Sequence, residues 1–145
     1  MSNNAPAFLW QSIAIIVGRV IFAGLFVMAA TFKFLDPPGT AAYIASAGIP
    51  ASQFLAWVAA IFESLLALGF LTGAFFSEVS LLAAAYVLFL AIAFHGPSHW
   101  AAGNQSEFGF FVDHFTFIAG LLFAAVNGPG QVLALRQTLI GPRRR

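Results

Sequence analysis

Two groups of polar residues interrupt an otherwise apolar chain, and each suggests its own chemistry. The first is Arg19, within IAIIVGRVIFAGLFVMAATFKF (Ile13 to Phe34), together with Glu63, within AWVAAIFESLLALGFL. Both sit in apolar runs long enough to cross a bilayer, which takes about 20 residues at roughly 1.5 Å each. An unpaired arginine at mid-membrane costs about 2.5–3.5 kcal/mol on insertion scales. Arg19 is therefore expected to face the interior and find an acid, and Glu63 is the acid in a comparable setting. Such an intramembrane ion pair either handles a proton or a ligand headgroup, or simply fixes how two helices dock.

The second group is Lys33, Asp36, His95, His99, Glu107, Asp113 and His114, which the expected topology gathers at one end of the bundle. Three histidines beside carboxylates have the chemistry to ligate a divalent metal or to hydrogen-bond an organic ligand at a polar mouth. The plainer alternative is that these residues cap helices at headgroup level. Gly96-Pro97 separates His95 from His99, so they are not an i, i+4 pair on a continuous helix, and no metal site is assigned.

Composition says what must hold these residues. Of 145 residues, 61% are hydrophobic and 8% charged, against about 25% charged in a soluble domain. Mean hydropathy is +0.92. A soluble core of this size has no room for so much apolar surface, so the chain reads as an integral membrane protein with one bundle and a single domain, 1–145. The net charge of +1 comes from few, scattered basic residues, which excludes nucleic acid as a partner. The absence of cysteine excludes disulfides, thiolate metal sites and thiol redox chemistry in this chain. No cleaved signal peptide is expected, because a basic n-region is missing and Arg19 breaks the apolar run.

Four spans are expected, at about 8–35, 51–72, 75–95 and 110–126, with a basic tail over 136–145. On the first, Arg19, Ala23, Phe26, Ala30 and Lys33 share a face, with Lys33 near enough to the far end for its stem to reach the headgroups. Asp36-Pro37-Pro38-Gly39 ends that helix. Thr40 to Ala47 is too short to cross and suits a short interfacial helix. The second span has a small face, Ser52, Ala56, Ala59, Ala60 and Ala67, broken by Glu63, which suits close helix packing. Thr72-Gly73 marks a tight turn, Glu78 sits in the first turn of the third span, and His95-Gly96-Pro97 stops it. Ser98 to Gly109 reads as a polar loop with Trp100 as an interfacial anchor. Asn127-Gly128-Pro129-Gly130 either ends the fourth span or breaks it before the amphipathic QVLALRQTLI. The expected fold class is an all-α membrane protein, a four-helix transmembrane bundle with a short interfacial helix between spans 1 and 2. Arg136 and Arg143 to Arg145 place both termini in the cytoplasm by the positive-inside rule. The 18 phenylalanines read as lipid-facing bulk or interhelical packing.

The order Arg19, Lys33, Asp36-Pro37, Gly48-Ile49-Pro50, Glu63, Gly69 and Gly73 resembles the DoxX family of small four-helix bacterial and archaeal membrane proteins, over about Gly18 to His95. Two departures stand out. Ala30-Thr31 precedes the lysine where a glycine is usual, and the turn after Gly73 lacks the common basic residue, which leaves Glu78 to pair with Arg136. The resemblance implies membrane redox work: family members include subunits of a thiosulfate:quinone oxidoreductase, partners in oxidative-stress complexes and proteins affecting quinone resistance. It implies an inner-membrane subunit or accessory protein of a quinone-linked system, with a quinone as the ligand and Arg19, Glu63 and Lys33 as polar contacts. Other membrane or redox subunits, or further copies of the chain, would be its partners within the lipid bilayer. A non-catalytic assembly subunit and, further off, a small-solute transporter are the alternatives.

Overall fold

The computed structural model describes residues 5–100, 105–135 and 137–140. Arg136 and Arg143 to Arg145 lie outside these residues, and with them the expected Glu78–Arg136 pair and the charges used for orientation.

The chain is all-α among the described residues, and four of its helices are long and apolar enough to cross a membrane: Leu9–Leu35, Ser52–Thr72, Phe76–His99 and Gln105–Asn127. It is a multi-pass membrane protein. Helix α1 (Ala5–Leu35) stops at Asp36-Pro37, where the prolines supply no N–H to continue it. The same four residues start the next helix, α2 (Pro37–Ser46): Asp36 Oδ1 accepts from the Gly39 N–H at 2.9 Å, and proline fills its first turn. The short helix therefore begins three residues before the expected Thr40, because a stop sequence with an aspartate and prolines is also a start sequence.

Helix α3 (Ser52–Thr72) ends at Gly73, whose φ of 71° and N–H bonded to the Gly69 carbonyl close the last turn. Helix α4 (Phe76–His95) follows, then a 3₁₀ turn over Pro97–His99. Helix α5 (Gln105–Asn127) starts five residues before the expected 110. Gln105, Ser106 and Glu107 read as loop because they are polar, but a first turn tolerates polarity and its dipole favours the Glu107 carboxylate.

Helix α1 packs along α3, α4 packs along α5, and α2 lies on α3. Helices α3 and α4 approach closely where Gly69 admits Val79: a Cβ on Gly69 would stand 2.5 Å from a Val79 methyl carbon. Around it an aromatic core fills one half of the bundle. Phe26 stacks on Phe70 at 5.8 Å between ring centroids, Phe22 tilts against Phe70 at 5.2 Å, and Phe76 meets Phe70 edge-on at 5.6 Å. At the opposite end a smaller cluster of Ala41, Ile44, Ala56 and Phe94 ties α2 to α3 and α4.

Past Asn127 the described chain is not helical. Gly128-Pro129-Gly130 breaks the helix, and the following segment folds back as a strap over the α3–α4 turn. There the Leu135 N–H donates to the Thr72 carbonyl at 2.9 Å and the Phe75 N–H to the Gln137 carbonyl at 2.8 Å. Gly73 is needed twice over at this crossing, for its positive φ and because a Cβ would stand 2.8 Å from that of Ala134.

Candidate functional site

Arg19 is 4% exposed, and it does not meet Glu63. Its Nε–H donates to the Phe70 carbonyl at 3.0 Å. Nη2 donates to Leu71 at 2.5 Å and Leu133 at 2.8 Å, and Nη1 to Val132 at 3.2 Å and Pro129 at 3.4 Å. A guanidinium has five N–H donors, and here they find five carbonyls. Two belong to the last turn of α3, where carbonyls lack helical partners and the dipole favours a cation. The other three belong to the strap. Arg19 is a staple between α1, the end of α3 and the terminal segment.

The expected Arg19–Glu63 pair fails on register. Arg19 stands against Leu71, and Phe34 meets Trp57 with ring centroids 6.0 Å apart. Antiparallel α1 and α3 therefore put Glu63 opposite the residues around Val27, roughly 13 Å along the axis from Arg19 at 1.5 Å per residue. The acid finds another cation. Lys33 Nζ lies 2.9 Å from Glu63 Oε1, with side-chain exposures of 22% and 2%. Helical side chains lean toward the N-terminus, so the Lys33 stem reaches back a turn along α1, where Nζ also touches the Ala29 carbonyl at 3.4 Å. It turns into the bundle instead of rising to the headgroups.

Glu63 Oε1 has a second donor, the Tyr86 hydroxyl at 2.8 Å, while Oε2 is buried without a hydrogen-bond partner among the described residues. Tyr86, braced edge-on by Phe62 at 5.1 Å, is the site residue that the sequence reading missed. Its signal was present as the one polar tip in LLAAAYVLFLAIAF.

Lys33 and Tyr86 line a cavity of about 370 Å³ bounded by α1 to α5 at the α2 end of the bundle. Apolar walls come from Ile44, Leu55, Val58, Phe62, Phe89 and Phe94. His95 and His114 also line it, their ring centroids 5.0 Å apart. His95 Nδ1 pairs with Glu107 Oε2 at 2.7 Å, and His114 Nδ1 with the Phe110 carbonyl at 2.6 Å. The latter bond makes Nδ1 the donor, so the neutral His114 ring carries its lone pair on Nε2. Tyr43 stacks on Phe94 at 4.7 Å. Burial raises its phenol above the ordinary value, and the nearby Glu107 carboxylate pushes the same way.

Of the expected mouth residues, Lys33, His95 and His114 share the cavity, with Glu107 behind His95. Asp36, His99 and Asp113 do not line it, and neither does Arg19. Asp36 is exposed and occupied in capping α2. His99 sits in the 3₁₀ turn that Gly96-Pro97 forces away from α4. Asp113 is exposed on α5, one residue and so about 100° of rotation from His114. Among the described residues no group of three His, Asp or Glu side chains comes together to hold a metal ion.

The family model described as DoxX matches residues 14–96, the stretch that supplies Arg19, Lys33, Glu63, Tyr86 and His95. The chain belongs to the DoxX family. No curated protein and no solved structure matches it. The DoxX match thus covers Arg19, the buried acid and most of the cavity, while Glu107 and His114 on α5 and the strap that holds Arg19 lie beyond it.

Proposed function

We propose that this DoxX protein is a subunit or accessory protein of a quinone-linked redox system in a bacterial-type inner membrane, where it holds or guides a small hydrophobic ligand. One observation carries the reading: an apolar cavity of about 370 Å³ has Lys33 and Tyr86, both bonded to Glu63, at one part of its wall and two histidines at another. Ligand pockets of about 300–1,000 Å³ with apolar walls and a few convergent polar groups suit a drug-sized molecule. A quinone head fits these residues, being flat and apolar with two carbonyl acceptors. Lys33 would donate to one carbonyl, and the His114 Nε2 lone pair would accept from a hydroxyl of the reduced quinol. When bound, a quinone supplies electron and proton acceptance. The chain's own part is to orient it, exclude water and keep a donor beside one oxygen and an acceptor near the other.

The orientation belongs to the same proposal. With both termini cytoplasmic, the cavity lies in the outer half of the membrane. Ser98→Cys labelled from outside supports that orientation, and labelling only from the cytoplasmic face reverses it.

The binding test is quenching of tryptophan fluorescence by a short-tailed quinone in mild detergent. Saturable binding that weakens about tenfold, or roughly 1.4 kcal/mol, in Lys33→Met is expected. Binding that is linear in quinone and unchanged in the variant removes the reading.

An assembly role has one observation of its own. Asp113 is exposed on α5, about 12 Å along that helix from Gln105, and a carboxylate facing lipid is costly. A neighbouring subunit that covers α5 and offers it a hydrogen-bond donor would remove that cost.

A further inference from the structure

The walls of the cavity are not equally covered. Most lining side chains are buried or half-buried, but Tyr43 on α2, Val58 on α3 and Phe89 on α4 are 52%, 41% and 50% exposed. These three come from three different helices and line the same cavity. Val58 lies six residues from the start of α3 and Phe89 six residues before the end of α4. Each is therefore about 9 Å along its helix from the end of the bundle that carries α2. In a hydrocarbon layer of about 30 Å, that depth is inside the lipid and below the headgroups. Near their other ends α3 and α4 approach closely, at Gly69 and Val79. Midway along, the two helices meet through larger side chains, Phe62 against Tyr86.

We infer that the cavity loads sideways from the bilayer, through the slot between α3 and α4 under α2, and takes a membrane-dissolved amphiphile with one apolar tail. The polar head lies inside, toward Lys33 and the two histidines, and the tail leaves between Val58 and Phe89 into lipid. Tyr43, stacked on Phe94 at headgroup level, roofs the slot and keeps the ligand out of direct contact with the aqueous face. The tail is what distinguishes this ligand from a water-borne solute of the same head. The inference rests on the cavity holding a small hydrophobic ligand with a polar head.

The chain has no cysteine, so single cysteines can be placed and modified after the protein has folded. The probes are a decyl-tailed dimethoxymethylbenzoquinone and the same head with a methyl group in place of the tail, so that no ring position is open to a thiol, with the protein in phosphatidylcholine nanodiscs. Val58→Cys is labelled by a lipid-soluble maleimide. Ile61→Cys, 53% exposed on the same helix but not lining the cavity, is the control. Saturating tailed quinone is expected to slow labelling at Val58→Cys about tenfold and to leave Ile61→Cys unchanged, while the tail-less head protects neither position by more than about twofold. A bulky adduct already attached at Val58→Cys is expected to weaken the tailed compound about tenfold and the tail-less one little. If both compounds bind saturably but protect Val58→Cys equally, or the adduct weakens both alike, the lateral slot is wrong and the ligand site stands. If neither compound binds the unlabelled protein, the ligand reading fails, and the slot with it.

Discussion

Lys33 Nζ stands 2.9 Å from Glu63 Oε1, and that same oxygen takes the Tyr86 hydroxyl at 2.8 Å. One buried carboxylate oxygen thus joins α1, α3 and α4, while its twin oxygen has no partner among the described residues. Lys33 and Tyr86, the two donors that meet on that oxygen, both line the cavity.

The pairing has an energetic signature. Breaking a buried pair by removing one partner costs about 3–5 kcal/mol, and Lys33, 22% exposed, places this pair toward the lower figure. Lys33→Met and Glu63→Gln should each destabilise the bundle, and the double variant should recover a large part of the summed loss. Arg19→Lys combined with Glu63→Gln should instead add to within about 0.5 kcal/mol, as separate sites do. Unfolding in mixed detergent micelles reads both cycles.

Arg19→Lys keeps the charge but offers three donors where five are used. At about 1.5–3 kcal/mol for a hydrogen bond to a charged group, it should cost about 3 kcal/mol despite its conservative look. Ending the chain after Gly128 removes the Val132, Leu133 and Pro129 acceptors. Its loss should overlap with that of Arg19→Lys instead of adding, which thermal unfolding of the two single variants and the double variant checks.

Glu78 holds the far end of the strap. Its Oε1 accepts from the Thr138 hydroxyl and the Ile140 N–H, each at 2.9 Å, and from the Leu139 N–H. Glu78→Ala should free this end, raising proteolytic cleavage within residues 131–140 about tenfold for a loss of roughly 1.4 kcal/mol. Ligand affinity should stay the same, since Glu78 does not line the cavity.

Tyr43 gives a pH prediction with a definite sign. Its folded-state proton is held more tightly than in the unfolded chain, by burial and by Glu107. Its contribution to stability is therefore fully present below the ordinary value of 10.0 and is lost as pH rises from there through the higher folded value. Ultraviolet titration in a Tyr86→Phe background should show a midpoint above 10.0. Glu107→Gln should bring it part of the way down, because burial is the larger cause.

The fold was legible because length and hydropathy are strong signals. A 21-residue apolar run such as α3 has few alternatives. The inward direction of Glu63 was legible from the alanines around it, and all of Ala56, Ala60 and Ala67 are buried with it. Its partner was not, because choosing between Arg19 and Lys33 needs the axial offset between α1 and α3. That offset is fixed by Phe34 on Trp57 and by the strap, neither of which a periodicity reveals. The strap itself was hidden because backbone carbonyls hold Arg19, and carbonyls carry no letter in a sequence. His95 and His114 come together, ring centroids 5.0 Å apart, because both face the same cavity. Asp36, His99 and Asp113 were grouped with them by helix end alone, and helix end does not say which way a side chain faces.

The most direct test of the central claim, that the Lys33–Glu63–Tyr86 cluster and its cavity form a ligand site, is native mass spectrometry of the protein purified from membranes in mild detergent. The expected result is a small organic amphiphile bound near one per chain, lost or strongly depleted in Lys33→Met and retained in Glu78→Ala. A wild-type bundle that arrives without such a molecule, in a stable complex with another membrane subunit, would contradict the claim and leave the cluster a joint between helices.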